Sequence, residues 1–309
     1  VFNGGTLRVN GTSLASLADL GRTVTFTAAK TVSLYVAEAA HTFECSQTLD
    51  QTTGGLTKLG AGTLELNTAN TFTGSVTVSA GVLSISQAAA LGGASKSVFS
   101  TTGTGRLELD GAGTDIALPA TTTVLTSGTQ ASGALRNVSG NNTVAGPLLL
   151  TTGAGSSQIV SDGGSLTFSG GITTSPTAGA RTLQLGGTAG GIVTGNIADN
   201  GGSNIVSVTK NGTGTWELRG TNTYTGATTV SAGRLALAGT FTSSITASTG
   251  TLAPYGIPST TGAVNIQSGG RFEIRITPAA GDRLTVGGTV TLSGTLDVIA
   301  APGIGSGTS

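Results

Sequence analysis

The chain has 309 residues with a formal net charge of zero, 9% charged and 4% aromatic residues, and 52 glycines. Glycine this frequent without a Gly-X-Y period excludes collagen, and seven prolines are too few for a proline-rich linker. Without clustered Lys and Arg there is no nucleic-acid groove to expect, and no apolar run approaches the length of a membrane span.

Short alternating Val/Ile/Leu runs separated by glycine predict an all-β, turn-rich solenoid with Gly, Asn and Thr at the turns. The first fifty residues give strands at Thr6–Val9, Val24–Phe26, Val32–Val36 and His41–Cys45. Leu14 to Leu20 is ambiguous between a short helix and a corner loop. Next comes Leu56 to Ser86, LTKLGAGTLELNTANTFTGSVTVSAGVLSIS, followed by a helical turn at Ala88 to Leu91. Strands are then expected at Ser97–Phe99, Gly105–Gly111, Ile116–Leu118, Thr123–Leu125, Ala134–Val138 and Pro147–Leu150. They continue at Gln158–Val160, Leu166–Phe168, Thr182–Leu185 and Ile192–Ile197. Val208 to Ala238, VTKNGTGTWELRGTNTYTGATTVSAGRLALA, repeats the earlier stretch without a gap, about 150 residues later. Ser244–Ala247, Ala263–Ile266, Arg271–Ile276, Leu284–Val286 and Thr289–Ile299 close the series. Thr251 to Thr261, with two prolines and Tyr255, reads as a bulging loop or subdomain junction.

Within the repeat, Leu64 and Leu66, like Trp216 and Leu218, share one strand parity, with Thr and Glu on the other. Gly60, Gly62, Gly74 and Gly81 recur as Gly212, Gly214, Gly226 and Gly233, the mark of positive φ or close backbone approach. Asn70 and Asn222 hold a matching corner. Such a unit cannot close its own apolar face and has to stack on a neighbour. One continuous solenoid over 1–309 is expected. At roughly twenty residues per coil it would have about fifteen coils, ~4.8 Å apart, and be on the order of 70 Å long. A propeller needs a blade period near forty to fifty residues, which is absent.

The pattern Leu/Val-Thr-Lys-x-Gly-x-Gly-Thr, Asn-Thr-aromatic-Thr-Gly and Val-Ser-Ala-Gly-x-Leu resembles the passenger-associated repeat of bacterial autotransporters, also called the autotransporter-associated β-strand repeat. The match is specific over the two stretches, about a fifth of the chain. Ala134 to Thr143 and Ser165 to Ile172 are similar to spacers of long repeat proteins of this kind. The resemblance implies a right-handed parallel β-helix, a passenger carried across an outer membrane to the cell surface or secreted. It implies no catalytic site, and it accounts for the scarcity of cysteine in a chain that stays unfolded during export. The absence of methionine and the Gly/Ser-rich end Pro302 to Gly307 lead to the expectation of an internal fragment or the ordered part of something longer.

Candidate chemistry is sparse. Glu108 and Asp110 lie two apart on one side, as glycosidase or metal carboxylates do, but Glu65 and Glu217 in equivalent places read as solvated outer residues. Asp110 to Asp115 is loosely calcium-like and lacks the terminal Glu of a full loop. His41 is the lone histidine; with Cys45 four residues away on a strand, the two share a face but lie too far apart for a catalytic pair, and His41 is expected to be satisfied or at the surface. Cys45 either pairs between molecules or, sharing parity with Phe43, is a small buried hydrophobe. Gly60–Gly62 and Gly212–Gly214 are not phosphate loops, having no Gly-Lys-Ser/Thr after them. Trp216 is expected in the core with an acceptor for its N–H. Thr71, Thr73, Thr223 and Thr225 do not recur coil after coil, as an ice-binding ladder requires. No catalytic, cofactor-binding or metal-ligating residue is therefore assigned. The expected function is a non-enzymatic extracellular structural rod for display, spacing or fibre assembly by end-to-end stacking. An adhesin that recognises glycans or surfaces, and a carbohydrate-active β-helix enzyme, are the alternatives.

Overall fold

The computed structural model describes residues 1–21, 24–50, 52–93, 96–100, 104–126, 133–151, 155–276 and 281–300. The Pro302–Gly307 segment falls outside them. Every strand-to-strand pairing among the described residues is parallel, and the coils carry strands on two faces before Ala117–Leu118 and on three from there on. The longest sheet, B, stacks twelve strands in chain order: Thr42–Cys45, Thr63–Leu66, Gly81–Ile85, Gly105–Asp110, Leu135–Ser139, Ser156–Ser161, Arg181–Gly186, Val206–Lys210, Thr228–Val230, Ile245–Ala247, Val264–Ile266 and Val290–Leu292. Sheet A holds eight strands, from Gly5–Val9 to Ile172–Thr174. It is carried on through a bridge from Ile172 to Ile197 and then by a four-stranded sheet from Thr221–Asn222 to Thr285–Val286. Sheet C holds nine strands, from Ala117–Leu118 to Thr295–Ala300.

This is a parallel β-solenoid of about eleven turns. At the usual strand spacing its axis is about 53 Å long. The expected fifteen coils and 70 Å were too many because the coils are not uniform. Leu107 pairs with Leu135, 28 residues on, whereas Thr228 pairs with Ile245, 17 residues on. Long corners in the first half use residues that a twenty-residue period assigns to extra coils.

Two expected strands are each cut by a corner. Ile192–Ile197 is a strand at Gly190–Val193 and a single bridging residue at Ile197. Thr289–Ile299 divides into Val290–Leu292 and Thr295–Ala300, on different faces. Val24–Phe26 contributes only a bridge from Phe26 to Phe2. Thr251–Pro254, read as part of a loop, pairs with Arg234–Leu237, and Tyr255, Gly256 and Ile257 in the corner beyond it stand exposed. Leu17–Leu20 and Ala88–Leu91 are single 3-10 turns.

The core follows strand parity. Leu64, Leu66, Trp216 and Leu218 are fully buried, and the intervening Thr and Glu face outward. The indole of Trp216 is accommodated by its neighbours. In its inward column it sits between Gly191 and Leu235. A Cβ on Gly191 would stand 2.9 Å from the indole ring and 2.1 Å from the Leu166 carbonyl oxygen, so only glycine fits there. The ring stacks on Phe168 at 6.3 Å and donates its N–H to the Gly186 carbonyl at 3.0 Å. The acceptor expected for it is thus present.

The two repeats differ in the core in a paired way. The buried aromatic is Phe72 in the first and Tyr224 in the second, and the residue four further on is Val76 or Thr228. The Tyr224 hydroxyl lies 2.6 Å from Thr228 Oγ1, which lies 3.0 Å from Ser243 Oγ. Burial raises the pKa of the Tyr224 phenol, so it stays neutral. The buried Tyr224 hydroxyl comes with a partner in Thr228, and left unpaired it would cost about 1–3 kcal/mol. Thr228→Val is expected to destabilise by about that amount, and adding Tyr224→Phe to recover part of the loss, the buried Ser243 hydroxyl being left without its Thr228 partner. A double-mutant cycle from urea unfolding of the four proteins measures the coupling.

Candidate functional site

The sequence motif recurs, but not on the same faces. In the first copy, Leu56–Leu59 lies in sheet A and Thr63–Leu66 in sheet B. In the second, Val206–Lys210 lies in sheet B and Thr215–Leu218 in sheet C. The motif therefore encodes a corner between two strands rather than a fixed place in the cross-section.

At the centre of each corner is a buried lysine. Lys58 shares the inward parity of Leu56, and Lys210 that of Val208; both are fully buried. Lys58 Nζ donates to the carbonyls of Leu59 at 2.8 Å, Gly60 at 2.8 Å and Ala80 at 3.1 Å. An ammonium has three donors, and all three are used. Lys210 Nζ donates to the carbonyls of Gly212 and, at 3.2 Å, Ala232. Among the described residues neither forms an ion pair. Carbonyls at the corner cannot join the strand ladders, and a buried carbonyl needs a donor. The lysine supplies it from inside.

Ala80 and Ala232 belong to the coil that follows, so each lysine ties two successive coils together. This explains why the repeat is one and a half coils long and why glycine follows the lysine. At Gly60 φ is +77°, and a Cβ would stand 2.1 Å from the Val36 carbonyl oxygen. The sequence reading passed over both lysines. Parity with Leu56 and Val208 was the signal that marked them.

The candidate residues do not converge. Glu108 is held by Arg106 Nε at 2.9 Å and Arg136 Nη1 at 3.2 Å, and Arg136 Nε reaches Asp162 at 2.8 Å. Asp110 accepts from Ser139, and Asp115 from the Asn141 N–H. Glu217 is bound by Arg219 at 2.8 Å. Among the described residues no three His, Cys, Asp or Glu side chains are placed to hold a metal. Cys45 is buried, with its thiol pushed up to about 12 by desolvation, in keeping with its parity with Phe43. His41 corrects its expectation. It is only 4% exposed, and neither ring nitrogen has a hydrogen-bond partner, so it is neither at the surface nor satisfied. Thr73 and Thr225 spend their hydroxyls on the Thr52 carbonyl and the Asp199 carboxylate.

Asn70 and Asn222 turn the matching inner corner. Asn70 Oδ1 accepts from the Leu49 N–H at 2.8 Å, and Asn222 Oδ1 from the Ile197 N–H at 3.1 Å. Asn142, outside either repeat, does the same for the Ile116 N–H at 2.7 Å.

These two corners are where the chain can be compared with known proteins. Residues 56–85 and 208–237 match the passenger-associated-transport-repeat family model. The chain thus carries two such repeats, each a lysine-centred corner within the solenoid. No curated protein and no solved structure matches the chain.

Burial lowers Lys58 and Lys210 from 10.5 to about 8. Between those values the unfolded chain binds more protons than the folded one, so stability rises with pH across the window and is flat below it. The Cys45 thiol and the Tyr224 phenol, both raised by burial, act oppositely above pH ~9 and pH ~10, so the clean range is pH ~8 to ~9. Thermal midpoints are expected to rise over that range by the equivalent of about 1 kcal/mol per lysine. The Lys58→Met, Lys210→Met double variant is expected to lose the rise.

Proposed function

We propose that the chain is a rigid, non-enzymatic rod displayed outside the cell, a stretch of an exported passenger that spaces or presents other parts. The observation that carries this reading is the unbroken twelve-strand parallel ladder with two passenger-associated-transport-repeats built into it. A stack in which each coil touches only its neighbours, joined by continuous hydrogen bonds, resists bending and leaves few cleavable loops. The paired acids, buried thiol and sequestered lysines support a structural rather than a catalytic role. No helix among the described residues is long and apolar enough to cross a membrane. We further infer right-handed winding, the hand that parallel crossovers adopt almost without exception.

One observation favours a second reading, assembly through the end of the rod. In the last described coil Val290, Leu292, Leu296 and Val298 are 47–63% exposed. Strands Val290–Leu292 and Thr295–Ala300 each end their sheet. Covering them takes a further coil, from the same polypeptide or from another copy.

Electron microscopy of the purified chain is expected to show slender rods about 50 Å long, and antibodies raised against it to label intact producing cells. Rounded particles would contradict the rod, and labelling only after permeabilisation would contradict external display. Rods joined end to end as concentration rises would support assembly; single rods at all concentrations would remove it.

A further inference from the structure

The outer surface beside the second repeat carries a groove of about 380 Å³, lined by Arg136, Gln158, Val160, Asp162, Asn211 and the Gly187–Thr188 and Gly212–Thr213 corners. That volume is at the lower end of ordinary small-ligand sites. The groove exists because Val160 pairs with Gly186, which leaves the outer face of the sheet without a side chain at that step. Two amides lean over the gap. Gln158 Nε2 and Asn211 Oδ1 lie 3.0 and 3.2 Å from where a Cβ on Gly186 would be. Asn211 Oδ1 is buried and has no hydrogen-bond donor. A rotation of its terminal torsion presents the amide to the groove.

The charges in the groove are already spent. Arg136 is bound by Asp162 at 2.8 Å and Glu108 at 3.2 Å, so an anion would have to displace a carboxylate. The lining offers donors and acceptors from the Gln158 and Asn211 amides and the Thr188 and Thr213 hydroxyls, above the buried Val160. That combination matches vicinal hydroxyl groups, each of which donates and accepts, and suits neither a phosphate nor an oily ligand. The groove is not a by-product of the motif. In the first repeat the residue equivalent to Asn211 is Leu59, paired with Tyr35, whose ring is covered by Arg8 at 4.4 Å.

We propose that this groove binds a neutral saccharide unit, with Gln158 and Asn211 reading its hydroxyls. The proposal goes beyond the structural reading above and does not depend on where the rod is displayed.

Titration of the folded chain with neutral mono- and disaccharides, alongside uronic and sialic acids, tests it, read by calorimetry and by the side-chain amide NMR signals. Saturable binding of at least one neutral sugar is expected, with the Asn211 amide signal shifting. Asn211→Leu, which restores the residue of the first repeat, and Gln158→Thr, on an outward strand position, are each expected to weaken binding about tenfold or more without altering the thermal midpoint. Should one variant fail to fold, the other still decides the matter. The proposal is overturned if no neutral sugar binds at the highest soluble concentration, if both folded variants bind as tightly as the parent, or if an acidic sugar binds more tightly than every neutral one.

Discussion

The structure depends on one constraint: a single coil of this chain cannot close its own interior. Each coil presents two or three short strands whose inward residues are apolar and whose backbone groups point along the axis. Only another coil, in register and parallel, satisfies both. Leu64 is therefore covered by Phe43 on one side and Leu83 on the other, and Trp216 by Gly191 and Leu235. Stability in such an array is a sum over neighbouring coils, so features that join one coil to the next matter more than any single contact.

The repeat is best understood in that light. Its invariant parts all concern the junction between coils. The lysine bonds to carbonyls of its own corner and of the next, the glycines let backbones approach where a Cβ would collide, and the asparagine bonds to the preceding coil. Because these are local requirements, the motif works equally well on sheets A and B or on sheets B and C. A buried ammonium held by carbonyls alone is an unusual solution, since burying a charge is costly unless every donor is used. Lys58 meets that condition with three acceptors.

Much of this was legible in the sequence. Period-two alternation located most strands, the duplicated stretch marked a stacking unit, and the parity of Leu64, Trp216 and Cys45 gave their burial. What was not legible has physical causes. Corner length varies without a sequence period, so the number of coils was overestimated. A corner of two residues, such as Ser293–Gly294, bends the chain onto a new face without interrupting the apolar pattern, so two strands read as one. Lys58 and Lys210 were overlooked because a charge is expected outside, although their parity placed them inside. The buried, unpaired state of His41 had no local signal, as it depends on what the neighbouring coils place around the ring. The groove was hidden for a similar reason: Val160, Gly186 and Asn211 come together only through the stacking of successive strands.

The central claim is that sheet B is one continuous ladder through both repeats. Its most direct test is a distance between nitroxide labels at two outward positions, Glu65 and Thr229, in a Cys45→Ala background. Their strands, Thr63–Leu66 and Thr228–Val230, are separated by seven steps of the ladder. Pulsed electron–electron resonance is therefore expected to give one narrow distribution centred at about 34 Å. A broad distribution, or a separation that no whole stack of seven strand spacings can produce, would contradict the account.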